Sequence, residues 1–404
     1  MPPFIRDRFT WLAYLMLGYY AYFQAASGPL MPFLRAELGL SYALGGLHFS
    51  AFAVGMITTG LTADRATGWL GRRRAFWGGA AGMGAGAVLL TLGHHAAVTI
   101  GGAAIMGLFG SLLLITIQAS LSDRHGERRA IAFTESNVVA SVCATLAPLC
   151  VGGLQQTGIG WRGGLWLMLA LAAGLAVVMY RVPLPAPGAE LAAATGRRRA
   201  LRRLPAAYWA YWLVIVLCVG AEWCLAFWSA DFLANAAGLP QGVAATAVGL
   251  FYLAMIVGRV IGSRLAWVMP TGRLLLAALG VAVLGFPLFW LARLPALNVA
   301  GLFVTGLGVA NLYPLGLSAA TGAAAGQANT ASARISLAAG VAILTAPLVL
   351  GGVADRVGIQ NAYGLVIGLL AVAVAMVVWA NRIAARFAAA RAADENGGRS
   401  AVGP

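Results

Sequence analysis

This 404-residue chain contains no lysine: all 27 of its basic residues are arginine, set against 12 acids for a net charge of +15. Charge of either sign is scarce, at 10% of residues where soluble domains carry about a quarter, and 61% of the chain is apolar. A Walker phosphate loop, G-x-x-x-x-G-K-[ST], needs its lysine, so ATP driving by that route is excluded. Cysteine is scarce too. Cys143, Cys150, Cys218 and Cys224 lie in apolar stretches without C-x-x-C spacing, and His48, His94 and His95 show no metal-ligand spacing. The spans hold no nucleophile–base pair or metal cluster, which argues against a membrane-embedded enzyme, and no cofactor or metal is expected.

What the chain does have is apolar length. A membrane-crossing helix needs about 20 mostly apolar residues. Twelve stretches qualify: 11–33, 42–62, 75–93, 98–120, 130–153, 162–181, 207–232, 243–265, 273–292, 297–319, 332–351 and 361–382. The short alternating segments of an outer-membrane barrel are missing. The first stretch follows Arg6 and Arg8 as a signal peptide would, but its apolar run is too long for one.

With the N-terminus on the cytoplasmic side, 21 arginines fall on that side, among them Arg72–Arg74, Arg197–Arg199, Arg202 and Arg203. Only Arg35, Arg162, Arg293 and Arg356 face outward, which is a positive-inside pattern. It predicts a plasma (inner) membrane protein with both termini cytoplasmic. The positive charge then reports topology and contact with anionic lipid, and nucleic acid is not expected as a partner.

The chain also repeats itself. Ala147-Pro148-Leu149-Cys150-Val151-Gly152-Gly153 returns as Ala346-Pro347-Leu348-Val349-Leu350-Gly351-Gly352, an offset of 199. The same offset aligns Phe33-Leu34 with Phe232-Leu233 and Met56-Ile57 with Met255-Ile256. Two related apolar halves are the layout of a carrier that rocks one half against the other. The expected fold is all-α and integral to the membrane, twelve spans in two pseudo-symmetric six-helix bundles, 1–182 and 207–383. A proline- and arginine-rich linker, 183–206, joins them, either along the headgroups or as a solvated tether. A cytoplasmic tail, 384–404, reads as disordered from 388 onwards.

After the second span, Gly60-Leu61-Thr62-Ala63-Asp64-Arg65-Ala66-Thr67-Gly68-Trp69-Leu70-Gly71-Arg72-Arg73-Arg74 resembles the loop signature of the major facilitator superfamily. Glycine, three residues, Asp-Arg, then glycine and a basic cluster make the match, with about three extra residues before the cluster. Gly220-Ala221-Glu222 followed by Trp228, Phe251-Tyr252 with Gly258-Arg259, and Gly306-Leu307-Gly308 with Tyr313-Pro314 are similar to the fucose-permease-like branch. That branch's acids in spans one and four are missing, so import and export both stay open. The resemblance implies a secondary transporter of a small organic solute working by alternating access.

Charge inside a span is costly unless used or paired. Glu222 lies near the bilayer centre in span seven, either as a proton carrier or as the fixed partner of Arg259 in span eight. Polar residues at helical spacing (Tyr20, Gln24 and Ser27; Asn137, Ser141 and Thr145; Tyr252 with Arg259; Asn311 with Ser318) turn inward as helix glue or as the wall of a shared cavity, with Trp228 beside them. The resemblance adds a gate of Asp64, Arg65 and Arg72 facing Arg334, with Glu135 near Arg259 across the halves. The expectation is a proton-coupled symporter of a small polar or amphipathic solute, or a proton-driven exporter, acting as a monomer with lipid as its surroundings.

Overall fold

The computed structural model describes residues 4–185, 204–324 and 328–400. Most of the linker lies outside them. Among the described residues there are fourteen α-helices and no strand. The first half runs α1 (Arg8–Ala26), α2 (Met31–Leu38), α3 (Tyr42–Leu70), α4 (Arg72–Leu92), α5 (Ala96–His125), a 3-10 turn (Gly126–Arg128), α6 (Arg129–Gln156) and α7 (Arg162–Met179). The second runs α8 (Ala206–Asn235), α9 (Gln241–Leu265), α10 (Thr271–Leu291), α11 (Pro295–Val309), α12 (Leu312–Gly322), α13 (Ala328–Ala362) and α14 (Gly364–Ser400).

Fourteen helices make twelve crossings because spans one and ten are each broken once. Pro29 has no amide hydrogen to continue α1, and Pro32 opens α2. Pro314, in the first turn of α12, ends span ten's hydrogen-bond ladder in the same way between Val309 and Leu312. The repeat is exact to the residue where four helices begin: α3, α4, α5 and α6 start at 42, 72, 96 and 129, and α9, α10, α11 and α13 at 241, 271, 295 and 328. Packing follows the same symmetry. α1 lies on α6 as α8 lies on α13, and α3 and α4 lie on α5 as α9 and α10 lie on α11. The halves meet where α3 contacts α13, α6 contacts α9, and α2 contacts α8.

Two boundaries differ from expectation. The Gly60–Leu70 segment is not a loop but the last turns of α3, where Thr62 and Thr67 hydroxyls bond back to the carbonyls of Thr58 and Ala63. Gly71, at φ 76°, makes the turn into α4. α14 also runs on into the expected tail, to Ser400, its first part an alanine- and arginine-rich stretch of strong helix formers; residues 401–404 of that tail lie outside the described residues.

Candidate functional site

One end of the molecule carries the N-terminus, the linker and most of the arginines (the basic side), and the other is the far side. On the far side the two halves are sealed. Arg35 of α2 places one guanidinium nitrogen 2.9 and 2.7 Å from the two carboxylate oxygens of Asp231 in α8. Asn235 donates to the same carboxylate at 2.6 Å, and the guanidinium lies 3.4 Å from the Tyr42 ring centroid. The Asp231 side chain is fully buried and that of Arg35 is 14% exposed. Beside them, Asp355 of α13 accepts the backbone N–H groups of Tyr42 and Ala43 at 2.6 and 2.9 Å, capping α3 from the opposite half. Ser50 donates to the Leu344 carbonyl at 2.7 Å. Glycines let backbones touch here: a Cβ on Gly28 would stand 2.2 Å from the Ala226 carbonyl oxygen, and one on Gly152 2.4 Å from that of Gly242.

Trp228 belongs to this seal. It is wholly buried, donates its indole N–H to the Pro347 carbonyl at 2.8 Å and packs on Tyr42, so it does not wall a cavity as expected. Fitting the widest side chain between Gly45 and Gly351 uses the space their missing Cβ atoms leave.

The same seams part towards the basic side. Along α3 and α13, Leu61 is 78% and Leu337 59% exposed; along α6 and α9, Val138 is 59% and Val260 58% exposed. The two gate pairs expected across the halves are accordingly not formed. Asp64 and Arg65 are exposed, with no ion pair among the described residues. Arg334 lies over the Trp209 ring within its own half, 5.7 Å from its centroid. Glu135 is gripped by Arg6 at 2.8 and 2.6 Å and by the Tyr14 hydroxyl at 3.1 Å, and so is not joined to Arg259. Arg72 is no gate residue in this arrangement: it pairs with Asp123 at 2.7 Å and donates to the Pro185 carbonyl at 3.0 Å, pinning the start of the linker. Arg73 does the same with the Tyr180 carbonyl. At the base of α1, partial burial works to raise the Asp7 carboxyl, but the Thr10 amide and hydroxyl and the Arg124 guanidinium outweigh it and hold the group below its ordinary range.

Between the sealed and open ends lie the remaining candidates. Glu222 is half-buried on α8, 16 residues into that 30-residue helix, close to its middle. Arg259 and Tyr252 of α9 lie within Coulombic reach of it. Among the described residues neither Glu222 nor Arg259 has a hydrogen-bonded or ion-paired side-chain partner. Leu250 and Val257 are exposed apolar residues on α9, and Tyr252 and Arg259 follow each by two positions, roughly 200° further round the helix. Lipid-facing leucine and valine therefore put Tyr252 and Arg259 on the inward face.

The other expected cavity residues divide. Gln24 is partly exposed and donates to the Tyr20 hydroxyl at 3.2 Å, while Tyr20 itself is buried against α5 at Gly110. Asn137, Ser141 and Thr145 each bond back to the carbonyl four residues earlier, along the α6 face that meets α9 farther up. Asn311 is glue: it sits at the break in span ten, donates to the Gly258 carbonyl at 2.7 Å and fills the space above Gly262. At the break, this amide side chain ties span ten to α9. His48, near the far-side end of α3, is buried, bonded to Thr99 and the Leu44 carbonyl at 2.8 Å each. Asp231, Asp355 and Asp123 were not singled out in the sequence. The repeat held a signal for the first: under the 199 offset Asp231 aligns with Pro32, three residues from Arg35, so the pair occupies near-equivalent positions in the first span of each half.

Twelve crossings in two symmetric bundles, sealed at one end and parted at the other around an unpaired acid and arginine, define a membrane carrier. The chain belongs to the Major Facilitator Superfamily, whose family model matches residues 11–328. It is 27% identical over 353 residues to an uncharacterised MFS-type transporter of Yersinia pestis, covering 86% of this chain and 89% of that one. In fold it resembles a bacterial homologue of the human lysosomal transporter Spinster, solved inward-facing and occupied, with a TM-score of 0.72 at 14% identity over 92% of this chain and 96% of that one. A variant of the nucleoside transporter NupG also matches, with a TM-score of 0.72 at 14% identity over 92% and 100% of the two chains. The protein is thus a multi-pass membrane transporter and not an enzyme.

Proposed function

We propose that this transporter carries a small polar or amphipathic organic solute together with protons by alternating access, and that Glu222 is the group that loads and releases the proton. The observation that carries the reading is the placement of Glu222 and Arg259. A charge within a span normally finds a partner; Glu222, half-buried at mid-helix, and Arg259, exposed six residues from the basic-side end of α9, face the same inward surface without one among the described residues, between a sealed and an open end. The arginine asymmetry supports a cytoplasmic basic side, which makes the present conformation inward-open in an inner membrane. The residues of span seven, Gly220-Ala221-Glu222 and Trp228, support a place near the fucose-permease-like branch. The protein works as a monomer in lipid, driven by the proton gradient without a cofactor.

Proton-driven efflux is the second reading, and Arg259 counts against it for cationic drugs, since it would stand against its own cargo. In proteoliposomes, Glu222→Gln should abolish accumulation driven by a pH gradient while leaving solute counterflow largely intact. Concentrative uptake surviving in that variant would remove Glu222 from the coupling.

A further inference from the structure

The charges lining the central space limit what can cross with them. Glu222 and Arg259 have no salt bridge to each other or to any other described residue, and the acid expected beside Arg259, Glu135, is taken by Arg6 and Tyr14. The groups near Glu222 are Cys218 on its own helix and Tyr252 and Arg259 on α9; α3, α12, α13 and α14 bring no charged group into its reach among the described residues. Seams that now part must close around this space for the far side to open, and a net charge enclosed there lacks the water that would stabilise it.

We infer, resting on the proton-coupled reading above, that the solute is a small organic monoanion whose anionic group binds Arg259. Each enclosed state is then neutral. Empty, ionised Glu222 offsets Arg259. Loaded, the proton on Glu222 removes its charge and the solute anion takes its place beside the guanidinium. A neutral solute carried with a proton would leave Arg259 uncompensated, and so would a zwitterion. A cation would add to the excess. Arginine's planar fork also suits a carboxylate or a phosphate monoanion, and Tyr252 supplies a ring and a hydroxyl two turns, about 10 Å, towards the far side on the same face.

The test uses the purified full-length chain and a panel of short aliphatic, hydroxylated and aromatic monocarboxylates and alkyl phosphonate monoanions. Each is paired with its neutral amide or ester and, where one exists, its amino-acid analogue. Thermal shift and intrinsic tryptophan fluorescence read binding. At least one anion should bind at least about tenfold more tightly than its neutral partner, and Arg259→Gln should erase that preference, with Arg259→Lys restoring part of it. Stabilisation only by neutral, cationic or zwitterionic members, or by none of the panel, overturns the inference. So does an anion preference that Arg259→Gln leaves unchanged in a folded protein.

The bound anion is then followed into proteoliposomes under imposed pH and potassium-diffusion gradients. Uptake should respond to the pH gradient and ignore the membrane potential. Uptake that responds to potential overturns the neutral-loading argument. Anion uptake indifferent to pH would sink the proton-coupled reading while leaving the anion site standing, and pH-driven uptake of a neutral member would do the reverse.

Discussion

Removing the Asp231 carboxylate should tip the protein towards the conformation open on its far side. The carboxylate is fully buried and holds Arg35 and Asn235. Breaking a buried ion pair by taking one partner costs about 3–5 kcal/mol, because the remaining charge is stranded. In the far-open conformation Arg35 would regain water, so most of that cost falls on the sealed state alone. Its contact with the Tyr42 ring retains roughly 1 kcal/mol. A net penalty of about 3 kcal/mol corresponds to roughly a 150-fold shift in the equilibrium between the two states. Spin labels at Thr157 and Arg293, exposed far-side sites on opposite halves, and at Trp69 and Trp267 on the basic side would read it by dipolar spectroscopy. In Asp231→Asn the far-side distances should lengthen and the basic-side distances shorten. Replacing both charges, Arg35→Met with Asp231→Leu, should bring the sealed state back, since a packed apolar pair is often no worse than the bridge. Unchanged distances in a folded Asp231→Asn protein would refute the reasoning, and so would a double variant that behaves like the single one.

Three further outcomes follow from contacts elsewhere in the molecule. Gly28→Ala forces a Cβ against the backbone at Ala226 and Phe227; the sealed state should lose about 1–3 kcal/mol, read as faster far-side cysteine labelling. Gly60→Ala, which meets nothing within 4 Å, is its control and should leave labelling unchanged. Asp7→Ala removes the α1 cap and should cost about 1 kcal/mol in thermal unfolding. Because the folded Asp7 carboxyl lies below its unfolded value of about 3.9, its contribution is full above that pH and fades as pH falls through the folded value; the wild type and Asp7→Ala should therefore converge in stability as pH falls below about 3.9, and a constant gap would contradict it. Arg72→Ala frees Asp123 and the Pro185 carbonyl, so protease cleavage in the linker should quicken.

The architecture was legible because membrane crossing writes itself into composition and the repeat writes itself into register. A helix pattern alone predicted twelve crossings, but not that Pro29 and Pro314 would break two of them while Pro148, Pro287 and Pro347 stay inside α6, α10 and α13. That outcome depends on what packs beside each proline. Glu222 and Arg259 stood out because charge is rare in apolar runs. Asp231 did not, since it lies at the end of its span, where a charge would ordinarily meet water; only the facing arginine, 196 residues away, reveals that it is buried. Trp228 and Asn311 were polar-tipped side chains at helical spacing, and spacing cannot separate a residue facing the open space from one wedged against a glycine.

The cap that Asp355 places on α3 has a consequence for time as well as for shape. The first amides of a helix have no partner within it and are normally capped by a side chain of their own segment, but those of Tyr42 and Ala43 are satisfied from the opposite half, 2.6 and 2.9 Å from the Asp355 carboxylate while the halves touch. Whenever the far side opens, those two hydrogens meet water. Their exchange with deuterium is therefore a clock set to the opening of the gate, its rate proportional to the fraction of time the gate stands open. Leu44, capped by Ser41 of its own chain segment, sits beside them as a reference that keeps its protection in either state. The ratio of these neighbouring amides would report the gate's equilibrium in unlabelled protein, with any solute or pH as the variable.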